Sequence, residues 1–261
     1  MVLGMIDKYI RQPIFNFFDE IGRIVLFALE SIFLIFRPPL FWREILFEAH
    51  HVATSCIVPV VCTVAPIGCI LAIQALNILR PLGVEKLMSS MVVIIMVREL
   101  APTMTSIMIA AQAGTSMAAE LGTMRVKEEI DAQDVMAVNP IQYLVIPRFI
   151  ALFIMCPILT VIAFFVGMMG SYVISVYVEG VNKGAFLDGL WTYLQMYDVG
   201  GAIFKSCVFG LVVAIISCYK GFFVTGGAAG VGRAANDAVV ICITTFLILN
   251  YFLTSLIWTT T

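Results

Sequence analysis

Five long apolar runs constrain this chain more than any other feature of its sequence. They cover residues 52–79, 87–119, 149–178, 200–219 and 238–261. The second run contains only Arg98 and Glu99 as charged residues, and the fourth contains only Lys205. A helix needs about 20 mostly apolar residues to cross a bilayer, and it satisfies its own backbone hydrogen bonds there. The sequence therefore predicts an all-α integral membrane protein with five transmembrane helices.

A different pattern precedes the first run, in residues 13–36. The apolar residues recur every three or four positions, as on one face of a helix; they are Ile14, Phe17, Phe18, Ile21, Val25, Ala28, Leu29 and Ile32. We expect an amphipathic helix that lies in the membrane interface and is stopped by Arg37, Pro38 and Pro39. A sixth, poorer span over residues 24–36 is the alternative. The expected division is an N-terminal interfacial region, 1–51, and a five-span domain, 52–261.

The distribution of lysine and arginine predicts the orientation. If the N-terminus is cytoplasmic, ten of the fifteen lysines and arginines fall in inside segments and three in outside segments, with two inside the spans. Cytoplasmic loops carry the excess of positive charge. We therefore expect the N-terminus inside and the C-terminus outside.

The longest inside loop carries a dense group of charges, within the stretch ELGTMRVKEEIDAQDVMAVNP. Seven charged residues occur in fifteen positions; they are Glu120, Arg125, Lys127, Glu128, Glu129, Asp131 and Asp134. We expect a short, mainly polar helix at about residues 117–137 on the cytoplasmic face. From composition alone, it either contacts a partner protein or is a solvated loop helix with none.

Arg98 and Glu99 interrupt an apolar run, where charged residues are energetically unfavourable. A charge at the bilayer centre costs about 2.5–3.5 kcal/mol on the insertion scale. Adjacent residues point about 100° apart on a helix, so we expect each charge to find another partner. Pro102 leaves the carbonyl of Arg98 without its usual donor. A polar patch that lines a substrate path is the functional interpretation, and a packing bridge between helices is the alternative.

Several function classes find no support. The seven cysteines form no CxxC motif and the only histidines are adjacent, so we expect no metal site. We also expect no catalytic residues, no cofactor on this chain and, with a net charge of −2, no nucleic-acid partner. The glycine-rich segment 220–237 lacks the P-loop pattern, and we expect a tight surface loop there. Glu99 is the only acid expected within a span.

Three segments resemble one known family. The segments VRELAP (97–102), AAELGTMRVKEEIDAQDVMAVNPIQYLVIPR (118–148) and GGAAGVGRAANDAVV (226–240) are similar to those of the MlaE/YrbE permeases, the membrane subunits of MCE-type ABC transporters. The resemblance runs from about residue 37 to the C-terminus. It implies a dimer with a second permease copy or a paralogue, ABC ATPase subunits that hold ATP and Mg²⁺, and MCE-domain proteins on the outer side. It also implies the bacterial inner membrane, which would make the C-terminus periplasmic.

The resemblance assigns roles to the charged residues. The charged loop is expected to be the coupling helix that contacts the ATPase. Arg98, Glu99, Pro102 and Lys205 are expected beside a cavity that receives a lipid head group. The implied function is ATP-driven movement of phospholipid, or a related lipid, between the inner membrane and an MCE conduit, which maintains the cell envelope and outer-membrane lipid asymmetry. A stand-alone ion-coupled carrier that uses Glu99 is the alternative. Lipid identity, direction, and homodimer or heterodimer stay open.

Overall fold

The computed structural model describes residues 12–35 and 41–258, and every regular element in those ranges is a helix. We number the helices in chain order: α1 Gln12–Ile35, α2 Trp42–Leu79, α3 Met88–Val126, α4 Glu129–Val135, α5 Ile141–Val178, α6 Lys183–Tyr193, α7 Met196–Phe222 and α8 Gly227–Trp258. Five of them, α2, α3, α5, α7 and α8, are long and apolar enough to cross a membrane. The predicted all-α fold with an N-terminal helix and five spans is confirmed, and the orientation stays a prediction.

The helices extend beyond the apolar runs that revealed them. Helix α2 begins at Trp42, so the boundary expected between residues 51 and 52 falls inside it. The loop expected over 220–237 is wrong: only residues 223–226 separate α7 from α8. Gly226 and Gly227 supply the tight turn with φ angles of +91° and +67°, which favour glycine. The remaining small residues of that segment then continue as helix.

Helix α1 turns a different face to the protein than its apolar stripe suggested. Phe27 and Ser31 are buried, and the Phe27 ring contacts the rings of Tyr219, Phe222 and Phe223. In contrast, Ile21 and Val25 of the predicted stripe are 41% and 50% exposed. From Ile21 onward, where the side chains are described, the stripe therefore points away from the bundle, as an interfacial helix requires if its apolar face is to enter lipid. The expected stop at Arg37, Pro38 and Pro39 lies outside the described residues.

Small residues hold the centre of the bundle together. A side-chain carbon added at Gly68 of α2 would lie 2.0 Å from the carbonyl oxygen of Gly167 on α5, so the two backbones touch there. The next residue of α2, Cys69, donates a hydrogen bond from its Sγ to the Gly170 carbonyl at 3.4 Å. Without a hydrophobic effect in lipid, close backbone approach of this kind drives helix association. The α2–α5 pair is accordingly the most extensive contact between elements in the described chain.

The two ends of the bundle differ, and we name them after the short helix at each. At the α4 end, Glu128 immediately before α4 and Ala137 two residues after it have left-handed backbones, with φ angles of 61° and 60°. At the α6 end, Asn182 caps α6 by accepting a hydrogen bond from the Gly184 N–H at 2.8 Å. Hydrogen bonds to Glu179 and Glu85 raise the pKa of Arg80 at this end.

Candidate functional site

Helix α3 is locally widened at the predicted charged pair. Residues Met96–Leu100 form a π-helical turn, a feature often found at functional sites. Pro102 follows within one turn and has no backbone N–H to give to the Arg98 carbonyl. The ammonium group of Lys205, on α7, donates to that carbonyl oxygen at 2.9 Å. A lysine from another helix thus replaces the donor that the proline removed.

Glu99 is the acceptor on which three helices converge. Lys205 Nζ lies 3.1 Å from both carboxylate oxygens. From α8, Asn250 donates its amide N–H at 2.8 Å and Thr254 donates its hydroxyl at 2.8 Å. Lys205 also donates to the Thr254 hydroxyl at 2.7 Å. The carboxylate therefore joins α3, α7 and α8, and its charge is matched by a single buried ammonium.

Arg98 has a carboxylate partner of its own. Its Nε lies 2.9 Å from Oδ1 of Asp198, and the indole N–H of Trp258 donates to the same oxygen at 2.8 Å. The Arg98 guanidinium and the Lys205 ammonium lie 5.3 and 5.2 Å from the centre of the Trp258 ring. Both cations are within the range at which an aromatic face attracts a positive charge. We call these residues the charged network; they are Arg98, Glu99, Asp198, Lys205, Asn250, Thr254 and Trp258.

The charged network is closed on one side and open on the other. The side chains of Lys205 and Asp198 are 0% and 3% exposed, whereas those of Arg98 and Glu99 are both 33% exposed. A molecule outside the chain can therefore reach Arg98 and Glu99 but not Lys205. The adjacent pair makes no mutual ion pair, as the sequence indicated. The structure brings three of the four predicted residues together, and Pro102 shapes the backbone beside them.

Sequence reasoning missed four members of the network, namely Asp198, Asn250, Thr254 and Trp258. The last three recur at every fourth position of α8, and polar residues at that spacing in an apolar run were an available signal. Asp198 was assigned to a loop. Helix α7 begins at Met196, so Asp198 lies in the first turn of that helix and not in the loop before it.

A second buried group of charges lies toward the α4 end. The Arg148 side chain, on α5, is 3% exposed and lies 3.2 Å from Glu48 of α2 and 2.7 Å from Glu120 of α3. Arg148 also donates to the Leu144 carbonyl at 2.8 Å. We call Arg148, Glu48 and Glu120 the Arg148 clasp. Glu120, predicted for the partner-binding face, is thus engaged in joining three helices of its own chain.

The other predicted coupling residues lie at the surface of the α4 end. The helix expected at about 117–137 is in two parts, because α3 continues to Val126 and α4 is a separate seven-residue helix. Arg125 pairs with Asp131 across the break, and Lys127 lies 3.8 Å from Glu129. Glu128 and Asp134 are exposed.

An exposed apolar tip accompanies these charges. Val135 and Met136 are 88% and 67% exposed, whereas Ile130 of the same short helix is buried. The tip therefore projects from a helix that is anchored on its other face. Among the described residues, no three His, Cys, Asp or Glu side chains converge as metal ligands.

Comparisons with known proteins place the chain in a family. The sequence profile of the family described as "Permease MlaE" matches residues 45–256. The chain is 37% identical over 256 residues to a "Probable ABC transporter permease protein" of Rickettsia felis, with 98% of each chain covered. A Synechocystis protein with the same description is 38% identical over 216 residues, which cover 83% of this chain and 82% of that protein.

A plant protein is also similar. The chain is 33% identical over 232 residues to "Protein TRIGALACTOSYLDIACYLGLYCEROL 1, chloroplastic" of Arabidopsis thaliana, with 89% of this chain and 66% of the plant protein covered. These matches confirm the resemblance that the three segments carried. The chain is a multi-pass membrane protein that belongs to the MlaE family of ABC transporter permeases.

Proposed function

We propose that this chain is the membrane subunit of an ATP-driven lipid transporter, and that it moves phospholipid or a related lipid between the bacterial inner membrane and an MCE-protein conduit. The observation that carries the proposal is the charged network, which presents one cation and one anion on its open side. Arg98 offers N–H donors to a phosphate, and Glu99 offers an acceptor to a cationic amine. The Arabidopsis relative is named for a glycerolipid, which supports the substrate class.

We propose that a second permease copy, or a paralogue, packs against the open side of the charged network. Among the five spans, α8 has the smallest buried share, and it exposes Leu247, Tyr251 and Phe252. Two charges that are one-third exposed on a lipid-facing surface would be costly. A second chain packed along α8 would enclose Arg98 and Glu99 in a cavity between subunits.

The α4 end is the proposed contact with an ABC ATPase, which would hold ATP and Mg²⁺. The acidic surface of α4 and its apolar tip offer a partner both charge and apolar area. Movement of α4 would reach the spans by two routes: directly through α3, and through the Arg148 clasp to α2 and α5. The α6 end would then face the periplasm and the MCE protein. Hydrolysis would occur on the partner, so this chain is not itself an enzyme.

Reconstitution with the ATPase and MCE subunits tests the substrate role. We expect Arg98→Ala and Glu99→Ala to lower lipid transfer by roughly tenfold or more, since a hydrogen bond to a charged group contributes about 1.5–3 kcal/mol. Transfer is compared per assembled complex, because each change also leaves a buried partner, Asp198 or Lys205, without its counter-charge. Arg23→Ala, which removes an exposed arginine of α1 that pairs with Asp19 of the same helix, is the control and should transfer at the normal rate. Normal transfer by both site variants would refute the assignment. Ion-driven lipid movement by the chain alone, without ATP, would instead favour the stand-alone carrier.

A further inference from the structure

A cavity of about 400 Å³ lies beneath α6, between α5, α6, α3 and the start of α7. We call it the α6 cavity. Its lining is apolar apart from Thr160, and the Thr160 hydroxyl donates to the Cys156 carbonyl of its own helix at 2.9 Å. Representative lining residues are Phe164, Phe165, Leu190, Trp191, Ala202 and Ile203. Apart from the indole N–H of the exposed Trp191, the lining has no free polar group, and the volume is within the range of about 300–1,000 Å³ typical of small-molecule pockets.

The α6 cavity is separate from the charged network, although the two share walls. Asp198 and Lys205 of α7 belong to the network, whereas Val199 and Ala202 of the same helix line the cavity. Val97, immediately before the charged pair, and Ala101, two residues after it, are both buried and line the cavity as well. A molecule in the cavity would therefore pack against the π-helical turn from the side opposite the charges.

The surroundings of the cavity indicate what can fill it. At its rim, Phe165 and Trp191 are 62% and 74% exposed, so the cavity opens on the outer surface of the bundle, where α5 and α7 cross the membrane. An apolar cavity without hydrogen-bonding groups does not hold water. In a bilayer, the molecules that reach such an opening are the hydrocarbon chains of lipids.

Exposed aromatic residues indicate the depth of the opening. Tyr177, Trp191, Tyr193 and Tyr197 surround the α6 end and are 43% to 74% exposed. Tryptophan and tyrosine concentrate at the level of the lipid head groups. Trp191 is at the mouth of the cavity and the three tyrosines lie nearby, so the cavity begins at the interface and extends inward along its apolar lining. This arrangement suits a molecule that has a polar end at the interface and a hydrocarbon chain below it.

We propose that the α6 cavity binds one acyl chain of a membrane lipid, at a site distinct from the charged network. The proposal needs only that the five helices span a bilayer, and it does not depend on an ATPase or an MCE partner. Its failure would therefore leave the proposed transport function untouched. A bound chain would also press on Val97 and Ala101, so its presence would support the turn that displays Arg98 and Glu99.

Photolabelling in nanodiscs tests the proposal. The full chain is reconstituted with phosphatidylcholine that carries a diazirine near the end of one acyl chain, and labelled peptides are identified by mass spectrometry. Because the diazirine is at the chain end, we expect labels to concentrate on the inner lining residues Ala101, Val161 and Ile203. Exposed residues of α2 outside the cavity, such as Val58 and Ile70, should be labelled less. Unlabelled phosphatidylcholine in excess should reduce the cavity labels in proportion. Equal labelling of these α2 residues and the cavity in the unmodified chain would overturn the proposal.

A pair of variants sharpens the test. Ala202→Phe fills the cavity from its inner wall, and we expect about a tenfold loss of cavity labelling, which corresponds to excluding roughly two methylene groups of the chain. Met169→Phe places the same ring on the exposed face of α5, outside the cavity lining, and should label normally. Unchanged labelling in a folded Ala202→Phe protein would overturn the proposal. So would loss of cavity labelling on assembly of the full transporter, because a partner protein would then be the occupant.

Discussion

The Arg148 clasp gives a sharp prediction, because one buried cation there serves two carboxylates on other helices. The change is Arg148→Met, which keeps a long apolar stem and removes the charge. The Arg148 side chain is 3% exposed and that of Glu48 is 12% exposed, so the substitution leaves the Glu48 carboxylate buried without its cation. The Glu120 side chain is 49% exposed and can be solvated instead.

The expected loss follows from those exposures. Breaking a buried ion pair by removing one partner costs about 3–5 kcal/mol, and the half-exposed Glu120 pair adds at most about 1 kcal/mol. For chains of this size, each kcal/mol lowers the melting temperature by roughly 2–4 °C. The Arg148→Met protein should therefore melt roughly 6–24 °C below the unmodified protein. Circular dichroism of the protein in detergent measures this directly.

Two further variants identify the cause. In the double variant Glu48→Gln with Arg148→Met, no charge is left stranded, so most of the lost stability should return. Lys127→Met is the control, because the Lys127–Glu129 pair is 3.8 Å apart and both side chains are about half exposed or more; its effect should stay within about 1 kcal/mol. A loss under about 1 kcal/mol in the single variant, or a double variant no more stable than the single one, would refute the reasoning.

Two more predictions concern glycine and alanine positions, and thermal melting in detergent measures both. Gly68→Ala should destabilise the protein by about 1–3 kcal/mol, because the added carbon would lie 2.0 Å from the Gly167 carbonyl oxygen. Gly22→Ala is the control and should cause no loss, because a carbon added there has no neighbour within 4 Å. Ala137→Gly should stabilise the turn after α4 by about 1 kcal/mol, since φ is 60° there, whereas Ala132→Gly within α4 should cost about 1 kcal/mol. Equal effects of the two variants in either pair would count against these arguments.

Helix α1 shows how far periodicity alone can go. The spacing of its apolar residues correctly indicated a helix, because a period near 3.6 is a local property of the sequence. It did not indicate which face meets the protein. That choice depends on the rings of Tyr219 and Phe223, which lie about 200 residues away and offer Phe27 a place to pack.

The number and position of the spans followed from the sequence alone, because hydropathy is a property of consecutive residues and a bilayer demands about 20 of them. The sequence alone also predicted that Arg98 and Glu99 each need a partner, because a charge in an apolar run is costly. The ends of the helices could not be predicted from the sequence in this way, since α2 and α5 continue through Glu48 and Arg148. Each of those charges is tolerated because it meets the other, 100 positions away, at 3.2 Å.

The partners of the charged pair were decided by tertiary structure. Which polar residues meet Glu99 depends on where α3, α7 and α8 cross, and crossing points are set by packing along whole helices. The sequence contained Lys205, Asp198 and Asn250 at separations of about 100 to 150 residues from the pair, with nothing local to connect them. Only the folded bundle gives the charged network a closed side, where Lys205 is buried, and an open side, where another molecule can reach Arg98 and Glu99.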